Sequence, residues 1–281
     1  VIDEASVQAA FPYVTNVRHL KDSGQKVVFR CDAGGQPAVL KVIKALDDSG
    51  RTEREIAAVT KLHSEYVPHV IANGKHDVGG EVRHFIIEEF IEGRTYRDVL
   101  LTAPKQPFAD VVTFAGKLLH ACVDFEDANL VHRDIKPENI MIGTDGKVWV
   151  IDFGLVRHLD LSALTSANFP GFMGTVGYAP REQFRLMNPD IRADLFGVGV
   201  MMYEALTGVH PWRSGCLSVL DVIRKMESTD LPLLAIPADP SGEAAAFIAS
   251  LVQRYPSNRP QTAAEALAWF GPILARFGVQ P

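Results

Sequence analysis

The chain has 281 residues, 47% hydrophobic and 22% charged, with a net charge of -6; this is globular composition, long enough for one large domain or two lobes around a sizeable core. The acidic balance argues against general binding to nucleic acid or to an anionic membrane surface, and no run of 18 apolar residues is present to cross a bilayer. Cys31, Cys122 and Cys216 are far apart with no CxxC pair, and the nine histidines show no paired ligand spacing. They read as reduced thiols of a cytoplasmic protein, not as a disulfide or zinc framework. A first residue of Val1 instead of Met suggests an excised domain or a processed chain, which leaves room for flanking domains.

Residues 13–46 read as strand-rich, with turn signals at Asp22-Ser23-Gly24 and Asp32-Ala33-Gly34-Gly35. Ala38 to Ile43 is an apolar strand carrying one lysine, Lys41, which on the bland account snorkels from a sheet edge. A helix is expected from Thr52 to about Leu62, with Ile56, Val59 and His63 on one face. Thr52 and Glu55 also fit a capping box, in which Glu55 would satisfy the Thr52 amide. Phe85-Ile86-Ile87 is a further apolar strand, and residues 110–126 form a helix with Val111, Phe114, Leu118, Cys122 and Phe125 on one stripe.

The chemistry concentrates in residues 131–154. Two carboxylates, Asp134 and Asp152, flank a cation, Lys136, and an amide, Asn139; the apolar strand Lys147 to Ile151 delivers Asp152 into a turn at Gly154. That set suits phosphoryl transfer, which needs positioning and charge neutralisation more than covalent help. One carboxylate can orient and deprotonate a hydroxyl, and a second with an amide oxygen can hold hard Mg2+ ions. A 28-residue polar, irregular stretch follows, containing Ser162, Thr165, Ser166 and Thr175; loops of that length in compact domains are usually functional. Asp194 to Gly208 is apolar almost all round and predicts a buried central helix, with Asp194 suited to cap its start. Further helices are predicted at about 216–227, 242–254 and 261–277.

The joint spacing of His132-Arg133-Asp134, Asn139 and Asp152-Phe153-Gly154 resembles the eukaryotic-type (Hanks-type) serine/threonine protein kinase family, with Ile135 where its signature has Leu. Gly174-Thr175-Val176-Gly177-Tyr178-Ala179-Pro180-Arg181-Glu182 is similar to the segment that ends the family's activation loop, with Pro180-Arg181-Glu182 replacing its Ala-Pro-Glu. Pro256-Ser257-Asn258-Arg259-Pro260 matches its arginine turn, so the resemblance covers residues 14–275.

The resemblance implies an α+β, two-lobed protein-kinase-like fold: an N-lobe, 1–92, of small antiparallel sheet with one helix, a hinge near 89–93, and a mainly helical C-lobe, 93–281, together forming one kinase domain. It implies ATP with Mg2+, or alternatively Mn2+, and a protein substrate with a Ser or Thr acceptor, since the family's Ser/Thr members carry a lysine at position 136. In that reading Asp134 is the base, Lys136 neutralises the γ-phosphoryl group, and Asn139 and Asp152 hold metal. Lys41 holds the α- and β-phosphates with Glu55 as its partner and Glu53 as the minor alternative. The main chain near Glu89 and Ile91 reads adenine between Val28, Ala38 and Met141. Glu88 falls at the back of that pocket, where an acid must find a cation or stay protonated.

The family's glycine-rich loop is degenerate here: the stretch Leu20 to Val28 keeps only Gly24, and Ser23 and Lys26 stand in place of glycines, which predicts weak ATP binding. Asp194 is implied to hold the catalytic-loop backbone, and Arg259 to be the buried partner of Glu182. Arg133 and Arg157 are implied to meet a phosphorylated Thr165 or Ser166, and Thr175 to lie against Asp134 and Lys136. Two other readings are a nucleotide-binding scaffold of pseudokinase type, suggested by Glu88 and the degenerate loop, and a small-molecule kinase. Against the first, Lys41, Asp134, Asn139 and Asp152 are all intact; against the second stand Lys136 and the segment from Thr175 to Glu182.

Overall fold

Residues 26–43 are two runs rich in β-branched and apolar residues, split by Gly34-Gly35 into a pair of strands that share one apolar face. The computed structural model describes residues 1–23, 25–44, 51–153, 176–184 and 189–278, with backbone alone at Arg51, Arg54 and Glu55. The chain divides into two compact units, Val1–His63 with Val67–Glu92, and Ser64–Tyr66 with Gly93–Pro281.

The first unit is a five-stranded antiparallel sheet in the order β1-β2-β3-β5-β4, from β1 (Val14–Asp22), β2 (Lys26–Ala33), β3 (Gln36–Ile43), β4 (Val70–Asp77) and β5 (Val82–Glu89). Gly34 and Gly35 turn β2 into β3 with φ of +59° and +79°, the left-handed pair that a two-residue hairpin needs. Register puts Val27, Phe29 and Cys31 opposite Val42, Leu40 and Ala38, and these residues form the core with Phe85 and Ile87 of β5. A helix that sequence periodicity does not reveal, α1 (Glu4–Ala10), adjoins this core. It is held by a reciprocal cap, the Ser6 amide to Asp3 Oδ1 at 2.8 Å and the Asp3 amide to Ser6 Oγ at 2.9 Å. Seven residues with Val7 alone buried are too few to show a stripe. Helix α2 is Arg51–Thr60, which places Thr52, buried, inside its first turn, and His63 is beyond its end; the Glu55 side chain, on which both the pairing with Lys41 and the alternative capping box depend, lies outside the described residues.

In the second unit β6 (Gly93–Thr95), β7 (Ile140–Gly143) and β8 (Val148–Val150) form a small antiparallel sheet. The helices are α3 (Tyr96–Thr102), α4 (Phe108–Asp127), α5 (Arg181–Phe184), α6 (Ile191–Thr207), α7 (Val219–Ser228), α8 (Glu243–Leu251) and α9 (Ala263–Ala275). The α4 stripe read from sequence is buried throughout. Helix α6 is the buried centre, packed against α4, α8 and α9. It starts three residues earlier than Asp194: Asp190 caps it by accepting the Arg192 amide at 3.1 Å, and Gly208, φ +78°, ends it. Asp194 therefore does not cap, and its carboxylate is available for another purpose. Arg259 lies wholly buried, donating to Glu182 at 2.5 and 3.3 Å, to the Gln253 and Arg192 carbonyls, and over the Phe196 ring. Among the described residues no helix is long and apolar enough to cross a membrane.

Two glycines of this unit show which close approaches matter. A Cβ on Gly197 of α6 would stand 2.6 Å from the Ile135 carbonyl oxygen and 2.9 Å from Ile135 Cβ, whereas one on Gly116 of α4 would meet the methyl end of Leu274. A backbone cannot yield as a leucine tip can. Gly197→Ala is therefore expected to lower stability by about 1–3 kcal/mol, and Gly116→Ala by less. Thermal unfolding of the two variants side by side checks this, and an equal or reversed order would mean that the residue 135 backbone is free to move.

Candidate active site

The loop from Val131 to Asn139 hangs from the central helix. One Asp194 carboxylate accepts both the His132 amide (Oδ2, 2.7 Å) and the Arg133 amide (Oδ1, 2.7 Å). Arg133 stands at φ +65°, so this backbone runs through the left-handed region; a left-handed residue in such a pair lets successive amides converge on one anion. Burial pushes the Asp194 carboxyl up, to about 7, against the opposing pull of the two amides. The Arg133 carbonyl is in turn fixed by Gln183 Nε2 at 2.8 Å.

His132 is fully buried and ties this loop to the chain just after β8. Its Nδ1 accepts the Asp134 amide at 3.2 Å, so the ring proton sits on Nε2 and is donated to the Ile151 carbonyl at 3.1 Å. Phe153 packs on this ring at 4.7 Å and on Phe125 at 5.0 Å. Asp134 Oδ2 accepts from Lys136 Nζ at 2.9 Å and from Asn139 Nδ2 at 2.8 Å, and the same amide nitrogen reaches the Asp134 carbonyl at 3.0 Å. With its nitrogen committed, Asn139 presents its amide oxygen as a ligand face. Asp152 follows at φ +66°, directly after an Ile151 amide bonded to the Asn139 carbonyl at 2.8 Å. That bond sets Asp152 and Asn139 on neighbouring stretches of backbone, and a carboxylate with an amide oxygen is a donor set of the kind that suits a hard divalent cation.

In the first unit, Lys41 of β3 and Glu88 of β5 form a buried ion pair of 2.5 Å, which supplies the cation that an acid at position 88 requires. Val28 lies opposite Lys41 across β2–β3 and shares its face. Ala38 does not: three residues before Lys41, it points to the opposite face of the sheet and is packed in the core beside Cys31. Val39, two residues before Lys41, is the residue on the lysine's face. The expectation that Ala38 joins Val28 as an apolar wall of the adenine site is corrected by this register, which puts the two on opposite faces of the sheet. After β5 the chain is fixed by the Glu89 amide to the His69 carbonyl (3.0 Å) and the Phe90 amide to the Pro37 carbonyl (3.1 Å), and Ile91 is buried. Met141 lies on β7, opposite Trp149 and Thr95. At the β1–β2 turn the Ser23 hydroxyl accepts the Lys26 amide at 3.1 Å and the Gln25 amide at 3.4 Å, while the Ser23 amide donates to the Lys26 carbonyl at 2.9 Å. These amides serve the turn itself.

Gly24, Arg157, Thr165, Ser166, Thr175 and the Glu55 side chain lie outside the described residues. The sequence reading also missed a network in the second unit. Arg97 of α3 bonds Glu138 of the loop (2.9 Å), Glu204 of α6 (2.9 Å) and the Tyr178 hydroxyl (2.6 Å), and Tyr178 donates to Glu204. Its members are 26 to 107 residues apart in sequence, so no local spacing could have found them.

Residues 23–269 match the family profile described as protein kinase domain. Among curated proteins the chain is similar to serine/threonine-protein kinase PknL of Mycobacterium bovis, with 36% identity over 203 residues, 70% of this chain and 49% of that protein. It is also similar to serine/threonine-protein kinase PknB of Mycobacterium tuberculosis, with 30% identity over 222 residues, 78% of this chain and 35% of that protein. The chain thus spans less than half the length of these relatives. With most of its length matched and the loop geometry in place, the chain belongs to the protein kinase domain family.

Proposed function

We propose that this chain transfers the γ-phosphoryl group of ATP to Ser or Thr hydroxyls of protein substrates, itself included. The observation that carries the reading is the Asp134 cluster. One carboxylate oxygen is shared by Lys136 and Asn139 in a loop suspended from Asp194, and the two relatives named above are serine/threonine-protein kinases.

In this reading Asp134 orients the acceptor hydroxyl and takes its proton, and its contact with Lys136 keeps a cation beside the carboxylate where negative charge gathers on the transferred group. Asn139 and Asp152 would hold Mg2+, with Mn2+ as the alternative, and the bound cation would supply neutralisation of the phosphate charge. Lys41 binds the α- and β-phosphates, with Val28 on its face, and the backbone at Glu89 and Ile91 reads adenine. Phosphorylation at Thr165 or Ser166, met by Arg133 and Arg157, would supply regulation through charge-assisted bonds. A cytoplasmic location belongs to the same reading and is supported by three free cysteines.

Two outcomes test it. Asp152→Asn keeps the side chain's shape and removes the anionic ligand. Losing a transition-state electrostatic contact costs about 2.7–4 kcal/mol, or 10²–10³ in rate, and transfer from labelled ATP to a generic protein substrate should fall by at least that much with the melting temperature held. Turnover at the parent rate would remove Asp152 from the site. The second concerns the β1–β2 turn. Ser23→Gly/Lys26→Gly takes away the hydroxyl that the Gln25 and Lys26 amides now satisfy and lets the backbone approach phosphate closely. Calorimetry should show tighter ATP binding; weaker binding would mean that Lys26 itself meets the phosphates.

A further inference from the structure

Lys41 and Glu88 are brought together by sheet register, not by a helix. On adjacent strands β3 and β5, Lys41 is paired with Ile86 and Glu88 with Val39, so the two long side chains are diagonal neighbours on one face. Their charged ends meet at 2.5 Å with side-chain exposures of 7% and 11%. Both strands are interior in the order β1-β2-β3-β5-β4, so neither backbone can drift to relax the pair. Lys41 shares its face with Val28 and Ile86 by register. An ammonium among apolar residues is held charged by an opposite charge within reach and discharged without one, and a flexible four-carbon stem needs a fixed acceptor to hold one geometry.

We propose that Glu88 is the positioning residue of Lys41. Its sheet-anchored carboxylate keeps the ammonium charged and aimed for phosphate binding. The inference rests on the reading of Lys41 as the phosphate-binding cation. Because an ammonium carries three donors, one carboxylate oxygen does not saturate it, and the pair is compatible with phosphate contacts. A catalytic lysine whose counter-ion lies on a strand is aligned by folding of the sheet itself.

The test uses the whole 281-residue chain and two readouts, calorimetric affinity for ATP with Mg2+ and steady-state transfer. Glu88→Gln should lower kcat/KM for ATP on the order of 10²-fold, the scale of a misplaced reacting partner, and Glu88→Asp, which keeps the charge one methylene short, should recover part of it. In a Lys41→Met background, Glu88→Met should leave ATP affinity unchanged, because an apolar pair in place of a buried ion pair is usually tolerated and the lysine through which Glu88 acts is gone. The proposal is overturned if Glu88→Gln keeps the parent kcat/KM, or if Glu88→Met weakens ATP binding as much without Lys41 as with it. Should Glu88→Gln fail to fold, Glu88→Asp decides: a fall of about tenfold in affinity supports the assignment and an unchanged affinity sinks it. A parent protein that binds ATP but transfers nothing would remove the kinase reading and leave the binding comparison valid.

Discussion

One buried carboxylate organises the catalytic loop. Asp194 sits one turn into a helix whose cap is already provided by Asp190, so its oxygens are spent on the amides of residues 132 and 133. Taking a carboxyl fully out of water is unfavourable, as its raised pKa of about 7 records. That cost fixes the backbone on either side of Arg133 to the most deeply packed helix of the unit. Everything downstream inherits the position: the Asp134 carboxylate, the Lys136 and Asn139 contacts, and through His132 the strand that carries Asp152. Gly197 completes the anchor by removing the one side chain that would hold Ile135 away from the helix.

Positive φ at both Arg133 and Asp152 shows where this arrangement stores strain. Non-glycine residues in the left-handed region cost on the order of 1 kcal/mol or more. Each is bracketed by fixed contacts: Asp194 and Gln183 around Arg133, and the Asn139–Ile151 bond before Asp152. Replacing either with glycine would relieve the backbone while removing the charge, so strain and chemistry are located in the same residues by necessity.

Much of this was legible in the sequence, and the reasons differ residue by residue. Asp134, Lys136, Asn139 and Asp152 fall within nineteen positions, so their type and spacing are enough to suggest the chemistry; the stripe of α4 declares itself by period and α6 by being apolar almost all round. The pairing of Arg259 with Glu182 was readable through resemblance, because both lie in recognisable short segments. What failed was register and distance. Ala38 and Val39 differ by one position, and in a strand that reverses the face. Glu88 announced that it needed a cation, but which one depended on β3 and β5 being neighbours, a fact of topology and not of local pattern. The Arg97 network and helix α1 left no periodic trace at all.

Helix α1 has a consequence for where this fold begins. The family profile starts at residue 23, inside the β1–β2 turn, yet Phe11 and Val7 are fully buried in the same core as Phe29, Leu40 and Phe85, with the Phe11 and Phe85 rings 4.8 Å apart. The physical boundary of the first unit therefore lies at or before the Asp3 cap, some twenty residues ahead of the boundary that sequence comparison draws. A piece trimmed to the profile would lose strand β1 together with its covering helix. It would turn β2 into a sheet edge and open an apolar face to solvent, the combination that drives strand-to-strand association in place of folding.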